Sequence, residues 1–373
     1  NKARFAAIYH ARPEKLSAKT MQNINDKVDD FMETYDIKGL SFAISQDERL
    51  VYAQGHGYAR EKTKWRVSPR LLFRVASVSK PITGIAVMKL LQENSGLSID
   101  DPIWGPDSIL GNDYLTDGKE YDSRLYDVTL RHLLEHTAGL DIKPDPMFAE
   151  LEKSQGELIT WVVDNREFVS NPGATMDYSN FGYCVLGRVI EKLSNKSYEE
   201  YVKDNVLTQA GVSDMHIAGN LKSDRRPNEV YYYDNDGFDP YKWETARMDA
   251  HGGWIASSVD LVRLLSRVDG FPNKNDILED AQITLLSQRS RALTSSNQTS
   301  TYAKGWYLDS QGSNKGWLHN GIFSGSRAWL YRRDDGINWS AQLNTSNKKV
   351  GGSYTALNDL RKMIEDIIDE TDS

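Results

Sequence analysis

The sequence predicts an α+β fold in which an antiparallel sheet is flanked by helices and a mainly helical lobe is inserted into the chain. Two regions carry strand patterns: a hairpin pattern within the first 60 residues and several short aromatic and β-branched runs in the last quarter. Residues from about 92 to 270 are instead rich in helical patterns. We therefore expect strands from both ends of the chain to share one sheet.

The predicted elements follow in order along the chain. Apolar residues from Met21 to Met32 repeat at helical spacing after Ser17, a candidate N-cap. Leu40, Phe42 and Ile44 alternate with small residues, and the run that follows after a short turn completes a hairpin. The remaining expectations are helices over residues 81–92, 130–135, 157–165, 181–193 and 354–367, and strands over residues 303–308, 315–319, 326–332 and 338–344.

This order of elements predicts a division into two lobes, which the length of 373 residues allows. The α/β lobe is predicted over residues 17–105 and 265–373, and the mainly helical lobe over residues 106–264. Residues 1–16 form a lead before the first helix. A ligand site is expected in the cleft between the lobes.

The composition excludes several classes of protein. With 39% hydrophobic, 26% charged and 10% aromatic residues, the chain is that of a globular protein. Its formal net charge of −8, with acidic and basic residues interspersed, argues against nucleic acid as a partner. The longest apolar run, near residues 81–91, is well short of the roughly 20 residues of a membrane span. The single cysteine, Cys184, excludes an internal disulfide, and its apolar neighbours predict a buried thiol.

The first candidate site element is Ser77 with Lys80, three residues apart at the start of the predicted apolar helix. This spacing puts the hydroxyl and the amine on one helical face, and the helix N-terminus supplies free N–H groups. A serine beside a lysine can act as a nucleophile with its own proton acceptor when burial lowers the pKa of the amine. The alternative interpretation is a capped surface helix with a solvated lysine.

The second element is Tyr178-Ser179-Asn180, which follows a turn at Asn171-Pro172-Gly173 and precedes a helical run. A phenol can share a proton with the lysine and the serine, and the Asn180 amide can both donate to and accept from a substrate amide. An ordinary turn with a packed tyrosine is the alternative.

The third element is His319-Asn320-Gly321 at the end of a predicted strand. Gly321 would let a substrate approach the strand edge closely. The backbone N–H of Ile322 could pair with that of Ser77 to form an oxyanion hole.

In order and spacing, these three elements resemble those of the penicillin-recognising serine hydrolases: class C β-lactamases, D-alanyl-D-alanine carboxypeptidases, D-aminopeptidases and the related family VIII esterases. Further similar segments are Val128 to Leu134 with His136-Thr137-Ala138-Gly139-Leu140, and His251-Gly252-Gly253-Trp254. The resemblance extends over about residues 20–365 and implies a β-lactamase/transpeptidase-like fold.

The resemblance also implies roles for individual residues. Ser77 would be the acylated nucleophile, Lys80 its proton partner and Tyr178 a general base and acid. Asn180 would position the substrate, His319 would line the cleft, and Gly321 and the Ile322 N–H would lie beside the oxyanion. No cofactor is implied. The partner would be a peptide or small acyl substrate.

The third element departs from the Lys-Thr-Gly of most β-lactamases, since His319 stands in place of the lysine. A histidine carries a charge only near or below a pKa of about 6.5, which disfavours efficient binding of a β-lactam carboxylate. A peptidase, aminopeptidase or esterase is therefore favoured over a β-lactamase, and a serine-type peptidase is the main expectation among them. A non-catalytic sensor module that retains the cleft is the alternative from another class.

The leading residues from Arg4 to Tyr9 resemble the end of the repeat that precedes this domain in fungal polyglycine hydrolases and their bacterial relatives. That resemblance implies a secreted or extracytoplasmic endopeptidase acting on glycine-rich protein linkers. Sequons at Asn195, Asn297, Asn338 and Asn344 would permit glycosylation on such a route.

No metal site is predicted. The acidic turn from Asp234 to Asp239 has the spacing of a calcium loop, but Thr245 stands where a bidentate glutamate is needed. His132, His136 and His251 are dispersed among helices and turns, and we interpret them as structural.

Overall fold

The computed structural model describes residues 8–9, 18–310, 315–346 and 353–371. Within these residues the main sheet has eight strands, and its paired strands run antiparallel. The sheet takes strands from both ends of the chain, with mostly helical structure between them. The predicted α+β fold, with an antiparallel sheet flanked by helices, is confirmed.

The strands are mostly short outside this sheet. In chain order they are β1 (Ile8–Tyr9), β2 (Gly39–Gln46), β3 (Arg49–Arg60), β4 (Trp65–Arg66), β5 (Phe73–Arg74), β6 (His216–Ile217), β7 (Tyr233–Asp234), β8 (Trp254–Ala256), β9 (Tyr307–Asp309), β10 (Gly316–Phe323), β11 (Ser326–Arg333), β12 (Ile337–Leu343) and β13 (Thr345–Ser346). The sheet order is β1-β3-β2-β12-β11-β10-β9, and β4 pairs with β3.

Helices cover the sheet and fill the middle of the chain. They are α1 (Ala18–Thr34), α2 (Ser79–Glu93), α3 (Leu130–Leu134), α4 (Pro146–Ala149), α5 (Gln155–Asn165), α6 (Asn180–Ser194), α7 (Tyr198–Val202), α8 (Asp249–Gly252), α9 (Ser258–Leu265), α10 (Asp280–Ser287) and α11 (Ser353–Thr371).

Helix α2 is the central helix of the molecule. Every residue from its start through Leu90 is buried, including Lys80 and Lys89. It packs against α6, α8 and α10. A helix that is apolar around its whole circumference belongs in a core, and this one places the first candidate site element there.

Two hydrophobic cores meet at the sheet. Helices α1 and α11 pack together over one face, with Val28, Phe42, Trp339 and Ile364 among their buried contacts. Helix α9 packs against β2 and β12. The larger core lies around α2 in the helical part of the chain. The sheet and the helical core therefore hold β10 and the start of α2 in fixed positions.

Most local predictions match these elements, but the strand predicted over residues 303–308 is observed only as β9, Tyr307–Asp309. The hairpin is confirmed as β2 and β3, whose turn residues Asp47 and Glu48 have left-handed φ values of 49° and 61°. Strand β10 runs to Phe323, four residues past the predicted end. Ser17 and residues 4–7 lie outside the described residues, whereas Ile8–Tyr9 pair with β3. The lobe boundaries at residues 105 and 265 stay a prediction.

Burial changes the interpretation of several side chains that the sequence singled out. Cys184 is buried, as predicted, and burial raises the pKa of its thiol to about 12. Asn338 and Asn344 are fully buried and donate hydrogen bonds inside the fold, so these two sequons are inaccessible in the folded protein. Asn195 and Asn297 are exposed. None of the described helices has the length and hydropathy of a membrane span.

Candidate active site

Ser77 lies in a turn that leads directly into the central helix. Residues Ala76–Val78 form one turn of 3-10 helix before α2 begins at Ser79. Ala76 has a φ of 48°, a left-handed conformation that costs a non-glycine residue about 1–2 kcal/mol. The turn presents the half-buried Ser77 at its surface while its neighbours Ala76 and Val78 are buried. Backbone strain of this kind is concentrated at functional sites.

Lys80 is completely buried and its amine lies beside Ser77. Its Nζ is 3.2 Å from Ser77 Oγ, 2.7 Å from Asn180 Oδ1 and 3.0 Å from the backbone oxygen of His251. Burial lowers the pKa of Lys80 to about 7, and the carboxylate of Asp145 opposes this shift. A large fraction of the amine is therefore neutral near pH 7 and able to accept a proton.

Tyr178 completes the group around Ser77. The Lys80 amine lies 4.6 Å from the centre of its ring, and the ring of His319 lies 6.3 Å from it, centre to centre. Burial raises the pKa of Tyr178 well above 10, although the neighbouring Ser77 side chain opposes this effect. The phenol therefore stays protonated near neutral pH. The Ser77 hydroxyl, the Lys80 amine and the Tyr178 ring, from two distant segments, thus lie together.

Local capping explains how Tyr178 and Asn180 reach this position. Ser179 is the N-cap of α6, and its Oγ accepts a hydrogen bond from Gly182 N at 2.9 Å. Its backbone N–H donates to His136 Nδ1 at 3.0 Å. The His136 ring packs against Tyr178 with centroids 4.4 Å apart. Asn180, the first residue of α6, and Tyr178, the residue before its N-cap, are thus both held in position.

Asn180 joins Lys80 to a carboxylate that the sequence analysis did not identify. While its Oδ1 accepts from Lys80, its Nδ2 donates to Asp145 Oδ2 at 2.6 Å. Asp145 is the N-cap of α4, and its Oδ1 accepts from Met147 N at 2.9 Å. The sequence signal available for Asp145 is the Asp-Pro pair at a helix start, but that pair indicates only a helix cap. The hydrogen bonds orient the Asn180 amide.

The third element lies against the other two. His319, on β10, is buried, and its Nε2 is 3.1 Å from the hydroxyl of Tyr302. Its Nδ1 lies 2.7 Å from the backbone oxygen of Asn320. Burial, reinforced by the charge of Lys80, lowers the pKa of His319 to about 3. The imidazole is therefore neutral, with Nδ1–H donating to the carbonyl and Nε2 accepting from the phenol.

Gly321 serves a different purpose from the one expected. A Cβ at this position would overlap the backbone oxygen of Val75 and lie 3.2 Å from the Cβ of Ala76. The missing side chain therefore makes room for the turn that carries Ser77 rather than for a substrate. Ile322 follows on the same strand, beyond the stretch of β10 that pairs with β9, which ends at Leu318. Its N–H remains the second predicted oxyanion donor.

The other histidines singled out by the sequence support this arrangement. His136 and His251 are buried, and burial together with the charge of Lys80 lowers the pKa of each well below 6.5. The His251 carbonyl accepts from Lys80, a contact that no side-chain pattern could reveal. His132 is part of the capping box of α3. Among the described residues, no three or more histidine, cysteine or acidic side chains are arranged to hold a metal ion.

The fold and the site together define the class of serine hydrolases built on a β-lactamase/transpeptidase-like fold. Residues 24–360 match the Beta-lactamase family. The chain belongs to this family.

Its relatives include penicillin-binding proteins. The sequence is 31% identical over 193 residues to penicillin-binding protein 4* of Bacillus subtilis, a match covering 49% of this chain and 39% of that protein. It is 22% identical over 303 residues to protein flp of Staphylococcus aureus (strain MRSA252), covering 79% of this chain and 57% of that protein. The chain thus spans about half the length of the curated relatives it matches.

Solved structures share the fold at low sequence identity. The D-amino acid amidase of Ochrobactrum anthropi SV3, complexed with L-phenylalanine amide, superposes with a TM-score of 0.76 at 21% identity, covering 95% of this chain and 100% of that chain. The octameric penicillin-binding protein homologue of Pyrococcus abyssi gives 0.73 at 22% identity, covering 92% of this chain and 77% of that chain.

Proposed function

We propose that the protein is a serine hydrolase that cleaves amide or peptide bonds through an acyl-enzyme on Ser77. The observation that carries this proposal is the fully buried Lys80, whose amine contacts both Ser77 and Asn180 and lies 4.6 Å from the centre of the Tyr178 ring. A solvated surface lysine, the alternative weighed above, would have none of these contacts.

In acylation, the neutral Lys80 amine takes the Ser77 proton as Oγ forms a bond to the substrate carbonyl carbon. The negative charge moves to the carbonyl oxygen, where the N–H groups of Ser77 and Ile322 would receive it; one such donor is worth roughly 10²–10³ in rate. As the C–N bond breaks, the amine leaves with a proton passed from Lys80 through the Tyr178 phenol. Because Tyr178 stays protonated, it conducts this proton rather than acting as the initial base.

Deacylation reverses the proton flow. Water loses a proton to the Tyr178–Lys80 pair and attacks the acyl carbon. The C–O bond to Ser77 breaks, Oγ recovers its proton, and the acid product departs. These steps require no metal or organic cofactor.

The neutral His319 favours a peptidase or amidase over a β-lactamase. A β-lactam carries a carboxylate, and a neutral imidazole offers it no charge-assisted partner. Carboxylesterase activity remains a second candidate of the same fold, because an activated serine also cuts reactive esters. A sensor module that is acylated without turnover is the third.

A substrate in a glycine-rich protein linker and a secreted or extracytoplasmic location are further proposals, resting on the resemblance of the leading residues. The exposed sequons at Asn195 and Asn297 are compatible with that route.

The test is acylation mapping with a fluorophosphonate probe, followed by digestion and mass spectrometry. The modified peptide should contain Ser77, and Ser77→Ala should remove the label and lower turnover by roughly 10⁴–10⁶-fold. Labelling of another serine, or turnover retained in Ser77→Ala, would refute the proposal. Labelling of Ser77 without turnover of esters or peptides would indicate the sensor module.

Two matched variants control for folding. Ser79→Ala removes a buried hydroxyl two residues away, whose partner is the Trp254 N–H. Lys89→Met removes a second buried lysine of α2, which contacts the Ile277 carbonyl. Both should retain labelling, whereas Lys80→Met should abolish it.

A further inference from the structure

Basic residues are concentrated on one part of an acidic molecule. The chain has 45 lysines and arginines against 53 acidic residues, with a formal net charge of −8. Residues 60–66 and 222–226 reverse this balance, because together they hold seven basic residues and only two acidic ones. The fold brings the two segments together, since Arg60 and Lys222 both lie over the ring of Tyr231.

Tyr231 is surrounded by three cations. Cζ of Arg225 lies 3.6 Å from the centre of its ring, Cζ of Arg60 lies 4.6 Å from it and Nζ of Lys222 lies 5.5 Å from it. The adjacent Arg225, together with the charges of Arg60 and Lys222, lowers the pKa of the partly exposed Tyr231 phenol. A phenol pKa falls where the surroundings favour the anion, so the electrostatic potential here is positive.

A second tyrosine extends this surface along β3 and β4. Lys64 Nζ lies 4.7 Å and Arg66 Cζ 4.9 Å from the centre of the Tyr58 ring. Asn344 joins the two tyrosines, because its Nδ2 donates to the backbone oxygens of Tyr58 and Tyr231 at 3.0 Å each. The cations around the two rings are called the basic patch: Arg60, Lys64, Arg66, Lys222 and Arg225.

The acidic groups near the basic patch have other partners. Glu61 lies 3.8 Å from Lys38, and Asp224 accepts from a backbone N–H at 2.9 Å. The buried Glu229 carboxylate, close to Arg225, accepts from a tyrosine hydroxyl at 2.8 Å. Among the described residues, three cations of the patch form no ion pair: Arg60, Lys64 and Lys222. Like charges held together repel each other, and a bound anion would relieve that repulsion.

Carboxylates are anions that these cations fit. A guanidinium group is planar and binds a carboxylate through two parallel N–H···O bonds, whereas an ammonium group acts as a point charge. Several cations spread over two segments match a run of acidic residues better than they match a single carboxylate. Charge complementarity therefore favours an acidic peptide segment as the ligand.

A short series of contacts connects the basic patch with the candidate active site. Lys222 Nζ lies 5.4 Å from the centre of the Tyr241 ring, and Arg74 Cζ lies 5.3 Å from the same ring. Arg74 Cζ is also 5.9 Å from the ring centre of Phe323 on β10, which packs with Ala76 in the turn before α2. The separation is on the order of 20 Å, which an extended peptide covers with about six residues.

We propose that the basic patch binds an acidic segment of the polypeptide substrate, about six residues from the bond that is cleaved. Aspartate and glutamate carboxylates of that segment pair with the lysines and arginines of the patch, while the scissile bond lies at Ser77. The inference rests on the proposed acyl-enzyme and adds a recognition surface outside the cleft. Contacts far from the reacting atoms stabilise ground state and transition state equally, so they lower KM and leave kcat unchanged.

Fluorescence anisotropy with labelled peptides tests the binding directly. The probes are three fluorescein-labelled decapeptides of glycine and serine that carry four glutamates, four glutamines or four lysines. They are titrated with the Ser77→Ala protein, which should not cleave them. The glutamate peptide should bind most tightly, and its Kd should rise with salt concentration because salt screens exposed charges.

A double variant tests the contribution of the basic patch. Arg60→Gln combined with Lys222→Gln should raise the Kd of the glutamate peptide by roughly 3- to 30-fold, the range expected for two exposed ion pairs. Lys192→Gln combined with Lys362→Gln is the matched control. It removes the same charge from two surface lysines that pair with Asp113 and Asp366, and it should leave the Kd unchanged.

Kinetics connect the basic patch with the cleft. A glycine-rich peptide extended at either end by the glutamate segment should have a lower KM than its glutamine counterpart, with the same kcat. The double variant at Arg60 and Lys222 should remove this difference. It should hydrolyse p-nitrophenyl butyrate as fast as the native protein does, because that ester is too small to reach the patch.

Equal affinity for the glutamate and glutamine peptides would overturn the inference, as would an unchanged Kd in the double variant. Tighter binding of phosphatidylglycerol vesicles or of poly(U) than of the glutamate peptide would also overturn it, in favour of a membrane or a nucleic acid. Selective binding without any effect on KM would contradict a role in substrate recognition. If the double variant fails to fold, the exposed Lys64→Gln takes its place.

The binding and kinetic measurements separate this inference from the proposed function. Ester hydrolysis with no preference for the glutamate peptide contradicts the basic patch as a recognition surface and leaves the acyl-enzyme standing. Selective binding of the glutamate peptide by a protein that hydrolyses neither esters nor peptides contradicts the hydrolase instead.

Discussion

At the scale of single residues, the environment of Lys80 decides the chemistry. The amine is removed from water by α2, α6 and α8 and surrounded by neutral partners, so its pKa falls to about 7. The groups facing it are Ser77, Tyr178, Asn180 and the His251 carbonyl, with the neutral rings of His136 and His319 and the carboxylate of Asp145 nearby. A lysine that is neutral near pH 7 can act as a base there, whereas a solvated lysine cannot.

We expect a pH-rate profile governed by this group. For a substrate without ionisable groups, such as p-nitrophenyl butyrate, kcat/KM should rise with pH through an apparent pKa near 7, because only the neutral amine accepts the Ser77 proton. Asp145 opposes the lowering of the Lys80 pKa, so Asp145→Asn should move the rising limb to lower pH. Stopped-flow or steady-state rates between pH 5 and 9 test this. A flat profile from pH 6 to 8 would exclude Lys80 as the base.

At the scale of elements, the site depends on how β10 packs against the turn before α2. The two come so close at Gly321 that the Val75 carbonyl occupies the space of a side chain. Val75 is itself held by its N–H, which donates to Trp254 O at 3.1 Å. Strand β10 and the turn that carries Ser77 are therefore held together through backbone contacts, which fix the distance between Ser77 and Ile322.

Gly321→Ala should separate these two elements. The added methyl group meets backbone rather than a flexible side chain, so overpacking should destabilise the protein by roughly 1–3 kcal/mol and lower kcat more than KM. Gly96→Ala is the control, because a Cβ there has nothing within 4 Å. Thermal unfolding and ester kinetics are the measurements. Full activity and an unchanged Tm in Gly321→Ala would contradict the close packing.

At the scale of the whole molecule, segments far apart in sequence meet beside the main sheet. The turn between β2 and β3 meets the loop after α9: Glu48 accepts from Lys274 N at 3.0 Å, and Asp269 accepts from Asn338 of β12 at 2.7 Å. Burial, together with the charges of Asp269 and Glu48, raises the pKa of the half-buried Asp276 to about 6. Here the fold brings carboxylates together at a cost in stability.

The raised pKa of Asp276 makes the stability of the folded protein depend on pH. The folded state retains the Asp276 proton up to about pH 6, whereas the unfolded chain releases it near pH 4, so stability falls as pH rises between these values. Asp276→Asn should therefore raise the free energy of unfolding at pH 7.5 by about 1 kcal/mol, a value reduced for solvent screening, and have little effect at pH 4. Asp236→Asn, in an exposed loop, is the control for net charge. Calorimetry of the native protein and the variant at both pH values is the measurement. An equal change in Tm at pH 4 and pH 7.5 would contradict this account.

Local sequence determined most of the elements and the residue types of the site. Hydrophobic spacing predicted the helices and the hairpin, and the Ser77–Lys80 spacing with an apolar helix behind it identified the first site element. These features depend on contacts within a few residues, which the sequence states directly. The same is not true of Asp145, whose local pattern indicates a helix cap and nothing more.

Only the tertiary structure decided which protonation states the site holds and which groups share it. The Lys80 amine is largely able to accept a proton near pH 7, and the His319 ring is neutral, because distant segments exclude water from both. Asp145 reaches Asn180 across 35 residues of chain, and Gly321 makes room for a carbonyl more than two hundred residues away. Burial and electrostatic interaction depend on everything within several ångströms, which one-dimensional spacing does not encode.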